Sequence, residues 1–401
     1  MTEHDRSYDL VLFGATGFTG RLTAEYLAHS THEGAPLRWA IAGRSRDKLE
    51  RVAADVAKLA ADGVEPAVEV ADVGDRASLD ALAASTRVLA TTVGPYALHG
   101  RGVVEACVDA ATDYLDITGE PEFVAGTVRD HDAKARAQGI RVVSCCGFDS
   151  IPHDVGAWLT VRELPSDRPI RVEGFVHGVG EVSGGTWQSA VQAFGRLNKS
   201  VRATSGPRAD GGRRVRGAKP TIRYEKRLRN WVAPLPTIDP WIVLRSAAAL
   251  DEYGPDFRYG HSIRVRSLPR LAAGVGAVGG IVALSQLGPT RRWLLSLKGS
   301  GDGPSAERRE RSRFNVTFFG EALGDDGKPT DSTVVEVSGG DPGYGETSKM
   351  LAESALSLVH DRDRLPDAAG VITPVVALGD ALVDRQRAAE MRFEVIDTRK
   401  H

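Results

Sequence analysis

Short apolar runs alternate with helix-periodic stretches over the first 147 residues of this chain. Leu10, Val11, Leu12 and Phe13 predict a strand over residues 8–13, and a helix opens at Thr19. Residues 37–43 predict a second strand. Leu49, Val52, Val56 and Leu59 then fall at helical spacing. Residues 67–73, 87–93, 114–119 and 140–147 predict strands three to six. Such alternation predicts a doubly wound parallel sheet with right-handed crossovers.

The pattern then changes. Residues 170–178 predict another strand, and residues 314–320 and 332–338 an antiparallel pair joined by Gly324-Asp325-Asp326-Gly327. Helical periodicity returns over residues 344–359 (Met350, Leu351, Ala355, Leu358), and an amphipathic helix is expected to close the chain. We divide the chain into residues 1–150, 151–340 and 341–401. The apolar segment 271–287 predicts one helix in the middle region. It is shorter than the ~20 residues that span a bilayer. A buried helix is the expectation. The flanking Arg264, Arg266, Arg270, Arg291 and Arg292, with Trp293, leave a membrane surface or an acyl-chain groove as the alternative. Gly274, Gly276 and Gly279 spell a G-x-G-x-x-G there, but no strand-then-acid context supports a nucleotide site.

Chemistry enters at the first strand's end, Gly14-Ala15-Thr16-Gly17-Phe18-Thr19-Gly20. Gly14 allows the tight turn, Gly17 lets a pyrophosphate approach the backbone, and Gly20 lets the helix pack close to the sheet. The helix N-terminus offers free N–H groups to the phosphates. At the end of the second strand stands Arg44, where a site for a bare ribose would place an acid. A guanidinium there suits a 2′-phosphate, with Ser45, Arg46 and Lys48 as further donors. The cofactor expected is NADP(H). Asp72, at the carboxyl end of the third strand, reaches the adenine or caps a helix. Val93 ends the fourth strand and Gly94 and Pro95 follow it, on the ligand side of such sheets.

Composition narrows this only slightly. A net charge of −2 on 401 residues gives no reason to expect nucleic acid. Cys107, Cys145 and Cys146 cannot build a disulfide framework and fit a reducing cytoplasm. No histidine, cysteine or carboxylate spacing marks a metal site. The polar residues before Tyr8 carry no signal-peptide pattern. Between Arg196 and Arg229 ten basic residues face Asp210 and Glu225 alone, a solvated face or a dock for something acidic. Ser183, Gly184, Gly185 and Thr186 open a helix, as a second anion site or a plain capped start.

Taken in order, Gly14 to Gly20, Val93-Gly94-Pro95-Tyr96, Gly147-Phe148-Asp149-Ser150-Ile151-Pro152, Gly184-Gly185-Thr186, Gly340-Asp341-Pro342-Gly343-Tyr344-Gly345 and Gly370-Val371-Ile372-Thr373-Pro374 resemble the saccharopine dehydrogenase-like oxidoreductases. Within them the chain is most similar to the actinobacterial trans-acting enoyl reductases of complex-lipid synthesis. The resemblance implies an α/β fold: an N-terminal Rossmann domain, an α+β domain on a mixed sheet, and C-terminal helices returning to the first domain. It implies NADPH-dependent reduction of a carbon–carbon double bond on a carrier-bound acyl or polyketide chain, with an acyl-carrier or synthase partner. An amino-acid (C–N) oxidoreductase of saccharopine type is the alternative, and a non-catalytic NADP-binding scaffold at a lipid surface a third. Peripheral contact with the inner face of the membrane and a homodimer go with this reading. For such a reduction Tyr96 is the first candidate donor, and Asp149 and His153 the candidate acid and orienter. Packing explains Tyr96 equally, and helix capping at Ser150–Pro152 explains Asp149. Ser183, Gly184, Gly185 and Thr186 are the candidate substrate contacts.

Overall fold

The computed structural model describes residues 6–29, 37–60, 65–179, 187, 191, 209, 211–219, 221–235, 237–297 and 305–401. The first strands form where the apolar runs stand: β1 (Tyr8–Phe13), β2 (Trp39–Gly43), β3 (Ala67–Val70), β4 (Thr86–Thr91), β5 (Asp113–Asp116) and β6 (Arg141–Val143). Between them run α1 (Phe18–His29), α2 (Arg46–Ala57), α3 (Arg76–Ser85), α4 (Tyr96–Asp109) and α5 (Pro121–Gln138). β5 and β6 stop earlier than their apolar runs. The Asp116 carboxylate accepts from the amides of Thr118 (2.9 Å) and Cys145 (3.0 Å), turning both chains out of the ladder.

A second sheet follows α6 (Ile151–Arg162). Its strands are β7 (Ile170–Val179), β8 (Arg214–Gly217), β9 (Arg223–Glu225), β10 (Asn230–Pro234), β11 (Asp256–Val265), β12 (Arg313–Leu323) and β13 (Pro329–Gly339). The helices in this part are α7 (Asp239–Ala249), α8 (Leu268–Ser285), α9 (Gly288–Ser296) and α10 (Ala306–Arg311). The chain ends with α11 (Gly345–His360), β14 (Gly370–Ile372), α12 (Pro374–Ala388) and β15 (Arg392–Lys400).

The first sheet is parallel and ordered β14-β6-β5-β4-β1-β2-β3. The second is mixed and ordered β15-β13-β12-β7-β11-β10-β9, with β8 beside β11. This is a Rossmann domain joined to a mixed-sheet domain, as the resemblance implied. α6 packs on β7, β12 and β13, so closely that a Cβ on Gly156 would meet the Phe318 ring at 2.2 Å.

Two expectations are corrected. The chain does not close on a helix, because β15 follows α12 and pairs with β13. The apolar segment forms α8, but it is not buried. Only Leu271 and Ser285 of that helix are covered. Its periodicity specifies a helix, whereas α6 and α7 already pack on the second sheet and α8 runs out beyond it.

Candidate functional site

The glycine turn is built by crowding. Gly14 has φ +99°, open to glycine at little cost, and a Cβ on Gly20 would lie 2.2 Å from the Gly14 carbonyl oxygen and 2.7 Å from Thr92 Oγ1. α1 therefore starts hard against β1 and β4. Thr16 and Gly17 stay exposed at its head, Ala15 is buried, and no acid occupies the first helical turn. The C-terminal part of the chain braces this turn. The Phe18 ring meets Tyr344 edge-on at 4.5 Å, and Ser348 Oγ donates to the Thr19 carbonyl at 3.2 Å.

At the end of β2, Arg44 and Lys48 are exposed, and neither has an ion-pair partner among the described residues. Ser45 precedes α2 with its hydroxyl uncommitted to the helix cap. Asp72 accepts from Gly74 N at 2.8 Å, while the cap of α3 is Asp75, which accepts from Ala77 N. Val93 N donates to Thr91 Oγ1 at 3.2 Å, and the Gly94–Pro95 peptide is cis. A crowded glycine cradle, an open helix N-terminus and two uncompensated cations suit a dinucleotide with an extra phosphate.

Tyr96 is buried at the start of α4. Its hydroxyl donates to the Thr91 carbonyl at 3.1 Å. Its own N–H and that of Ala97 donate to the two oxygens of Glu120, each at 2.9 Å. Burial pushes the phenol well above its ordinary range, and nearby Asp116 adds to this. Its donor is thus committed to backbone.

His153, the half-buried Asp149 and two buried residues that no local pattern marked form one group at the heads of α6 and α7 and on β11. His153 sits in the first turn of α6, Asp239 in the first turn of α7, and His261 on β11. His153 Nδ1 lies 2.9 Å from Asp239 Oδ1 but out of line for a hydrogen bond, so both ring nitrogens are buried without a hydrogen-bond partner. His261 Nε2 lies 3.8 Å from Asp239 Oδ2 and 3.3 Å from Thr237 Oγ1, and the two imidazoles are 4.8 Å apart. Burial works to raise the Asp239 carboxyl, but the adjoining His153 and His261 outweigh it and hold the group below the usual carboxylate range. Its place at the head of α7 favours the same charged form. His261 is pushed down to about 4, first by burial and then by His153. Asp149 is pushed up to about 6 by burial and by the Asp239 charge. Phe148 covers this group edge-on to His153 (5.7 Å) and to Phe314 (4.9 Å).

Comparison with known proteins supplies the family. Residues 10–143 match the model of the saccharopine dehydrogenase NADP-binding domain. A Mycobacterium tuberculosis protein named trans-acting enoyl reductase is 33% identical, over 96% of this chain and 97% of its own. A second protein of that organism, which carries the same name provisionally, is 36% identical over 98% of this chain and 99% of its own. The chain belongs to the saccharopine dehydrogenase-like oxidoreductases. A member from Pongo abelii, named for the family, is 30% identical over 99% of both chains. Yeast saccharopine dehydrogenase (L-Glu forming) shares the fold at a TM-score of 0.56 with 13% identity, covering 97% of this chain and 100% of that one.

As a member of this family the chain is an oxidoreductase, and its cofactor is NADP(H). Gly14 to Gly20 would hold the pyrophosphate, and Arg44, Ser45 and Lys48 the 2′-phosphate. The expected substrate contacts Ser183, Gly184, Gly185 and Thr186 lie outside the described residues. Asp239 and His261 escaped the sequence reading because they stand 86 and 108 positions beyond His153. The only local signal was an acid followed by Pro240, which opens a helix. Among the described residues His153, Asp239 and His261 also bring one ligand atom each within 4.8 Å of one another, close enough for a small cation. Proton traffic and a cation would compete for the same nitrogen lone pairs.

Proposed function

We propose that this chain is an NADPH-dependent enoyl reductase acting in trans, which saturates a carbon–carbon double bond of a carrier-bound acyl chain in complex-lipid synthesis. The observation that carries the reading is the buried His153 imidazole, whose Nδ1 lies 2.9 Å from the ionised Asp239 while its Nε2 has no hydrogen-bond partner. NADPH, when bound, supplies the hydride. The chain must then give a proton to the carbon next to the thioester carbonyl and a donor to its oxygen. His153 is the group with an uncommitted ring nitrogen to do so. Asp239 acts as its positioning residue, and Asp149 is a second acid beside it. Tyr96 ranks below them because its hydroxyl is held by Thr91.

The charged groups facing His153 are acids, Asp149 and Asp239, beside the neutral His261 ring, and its aromatic cover is Phe148. This supports an uncharged acyl substrate over an amino-acid adduct, whose several carboxylates need cations. An acidic carrier protein would dock on the basic stretch that ends at Arg229 through the exposed Arg214, Lys219, Lys226 and Arg229, since Arg213, Arg216, Arg223 and Arg227 are paired with acids of this chain.

The test is NADPH oxidation by the purified chain with a 2-enoyl pantetheine thioester, and separately with an amino acid plus a 2-oxo acid. Turnover on the thioester is expected, reduced about 100-fold or more in His153→Asn with NADPH binding retained. Turnover on the amino-acid pair alone would move the chemistry to a C–N bond. NADPH binding with no turnover on either would favour a scaffold role.

A further inference from the structure

α8 is apolar on every side from Leu271 to Leu284, and exposed on every side from Ala272 to Gly280. No polar side chain occurs from Leu271 to Leu284, and residues 272–280 are all exposed. Leu268, Val275, Val278, Leu284 and Leu287 are between 39% and 63% exposed, and on α9 Trp293 is 54% exposed. Core helices of soluble proteins can match α8 in length and hydropathy, but they are mostly buried, whereas this one is 11% buried. A helix docked on a second protein presents one apolar stripe. A helix apolar all round calls for an apolar medium around it.

The sheet register shows how the segment lies. β11 and β12 flank β7 on its two sides. Ile263 of β11 stands opposite Val176, and Arg313 of β12 opposite Val179. The chain thus leaves and re-enters at the same end of the sheet. A single crossing would strand the return, so α8 and α9, which pack on each other, form a hairpin that enters and leaves on one side. At ~1.5 Å per residue, α8 is about 27 Å long and reaches well beyond the sheet.

Charge identifies the medium. From Phe257 to Gly301 the sequence holds seven basic residues and no acid. Arg266 and Arg270 are exposed where the hairpin leaves the sheet, and Arg292 is exposed on α9. Aromatic residues mark the same edge. Trp231 pairs with Val265 at the end of β11, and its ring meets the half-exposed Tyr224 at 5.8 Å. Cations and amphipathic rings around an apolar tip match the headgroup layer of an anionic bilayer.

We propose that the α8–α9 hairpin inserts into one leaflet of an anionic membrane and seats the enzyme on its surface. This stands independently of the reaction proposed above. His261 lies four residues before the hairpin root at Val265, about 13 Å along β11. The buried group therefore sits just above the lipid plane.

The experiment is flotation of the full chain with phosphatidylcholine vesicles with and without phosphatidylglycerol. Three further forms are compared: Val275→Asp with Val278→Asp, Arg270→Ser with Arg292→Ser, and Gly276→Ala. NADPH binding reports folding in each, since every changed position is exposed. The wild type is expected to float with the phosphatidylglycerol vesicles. The aspartate pair should lower the bound fraction tenfold or more. The serine pair should lower it severalfold and flatten its salt dependence. Gly276→Ala should not change it. Failure of the folded wild type to float would overturn the proposal. Equal flotation of the aspartate pair would do so too, as would a stable dimer that the aspartate pair dissolves and that ignores vesicles. That last result would assign the helix to a second copy of the chain.

Discussion

Two stretches of this chain are rich in glycine at motif spacing, and they use the residue in opposite ways. Between Gly14 and Gly20 the glycines are pressed. A Cβ on Gly20 would fall 2.2 Å from a carbonyl oxygen, and one on Gly14 would meet Thr92 and Val93 at 2.8 Å. At Gly274, Gly276, Gly279 and Gly280 a Cβ would meet nothing within 4 Å. The literal G-x-G-x-x-G sits in the open stretch, and the less common spacing in the nucleotide turn. Surroundings, and not spacing, give a glycine its meaning: one set makes room for a phosphate, the other smooths a helix bound for another medium.

The strongest way to break this contrast is Gly20→Val. The side chain has nowhere to go between the Gly14 carbonyl and Thr92, so the N-terminal domain should fail to fold and NADPH binding should vanish in a titration. Gly276→Val in the open stretch should leave that binding intact. If both variants bind alike, the contrast is empty.

Burial divides the titrating groups in the same way, and His261 gives the next effect. It stays neutral when folded because burial and His153 hold it near 4, below the ordinary imidazole. As pH falls the unfolded chain takes up this proton first. Its contribution is full above about pH 6.5 and lost by about pH 4, up to about 3 kcal/mol. Denaturant melts between pH 7 and 4.5 should show a shallower acid loss in His261→Phe than in the wild type. An identical slope would mean that His261 does not titrate as a buried ring.

Arg44→Ala sharpens the reading of the pressed turn. NADPH affinity should fall about tenfold or more, roughly 1.4 kcal/mol, towards the NADH value, and NADH should be unaffected. Equal losses for both nucleotides would place Arg44 elsewhere than at the 2′-phosphate. The smallest effect belongs to the open helix. Gly276→Ala should stabilise it by about 0.5–1 kcal/mol, seen as a small rise in thermal midpoint.

What the sequence made legible was local. The nucleotide turn, β1, β2, the β12–β13 pair and α11 each carry their own periodicity or turn chemistry within a dozen residues. β15 was missed because it reads as polar, with eight of its nine residues exposed or half-covered on an outer strand. β14 was missed because three residues are too short for a period. α8 was read correctly as a helix and wrongly as buried, since an apolar sequence does not say which apolar surroundings it will meet. At the candidate site His153 was singled out by its place just past the sixth strand. Asp239 and His261 were not, because only the packing of α7 and β11 against α6 brings them to it.

The last sixty residues stitch the two sheets together. α11 packs on α1, β14 lies beside β6, and β15 lies beside β13. The pairing of Gly370 with Arg141 joins positions 229 apart in sequence. On the ribosome, therefore, the nucleotide domain emerges first yet stays one strand short, with the Phe18 turn unbraced by Tyr344, until nearly the whole chain has been made. Synthesis order and assembly order part company here. Unfinished chains would carry a glycine turn without the support that makes it a site.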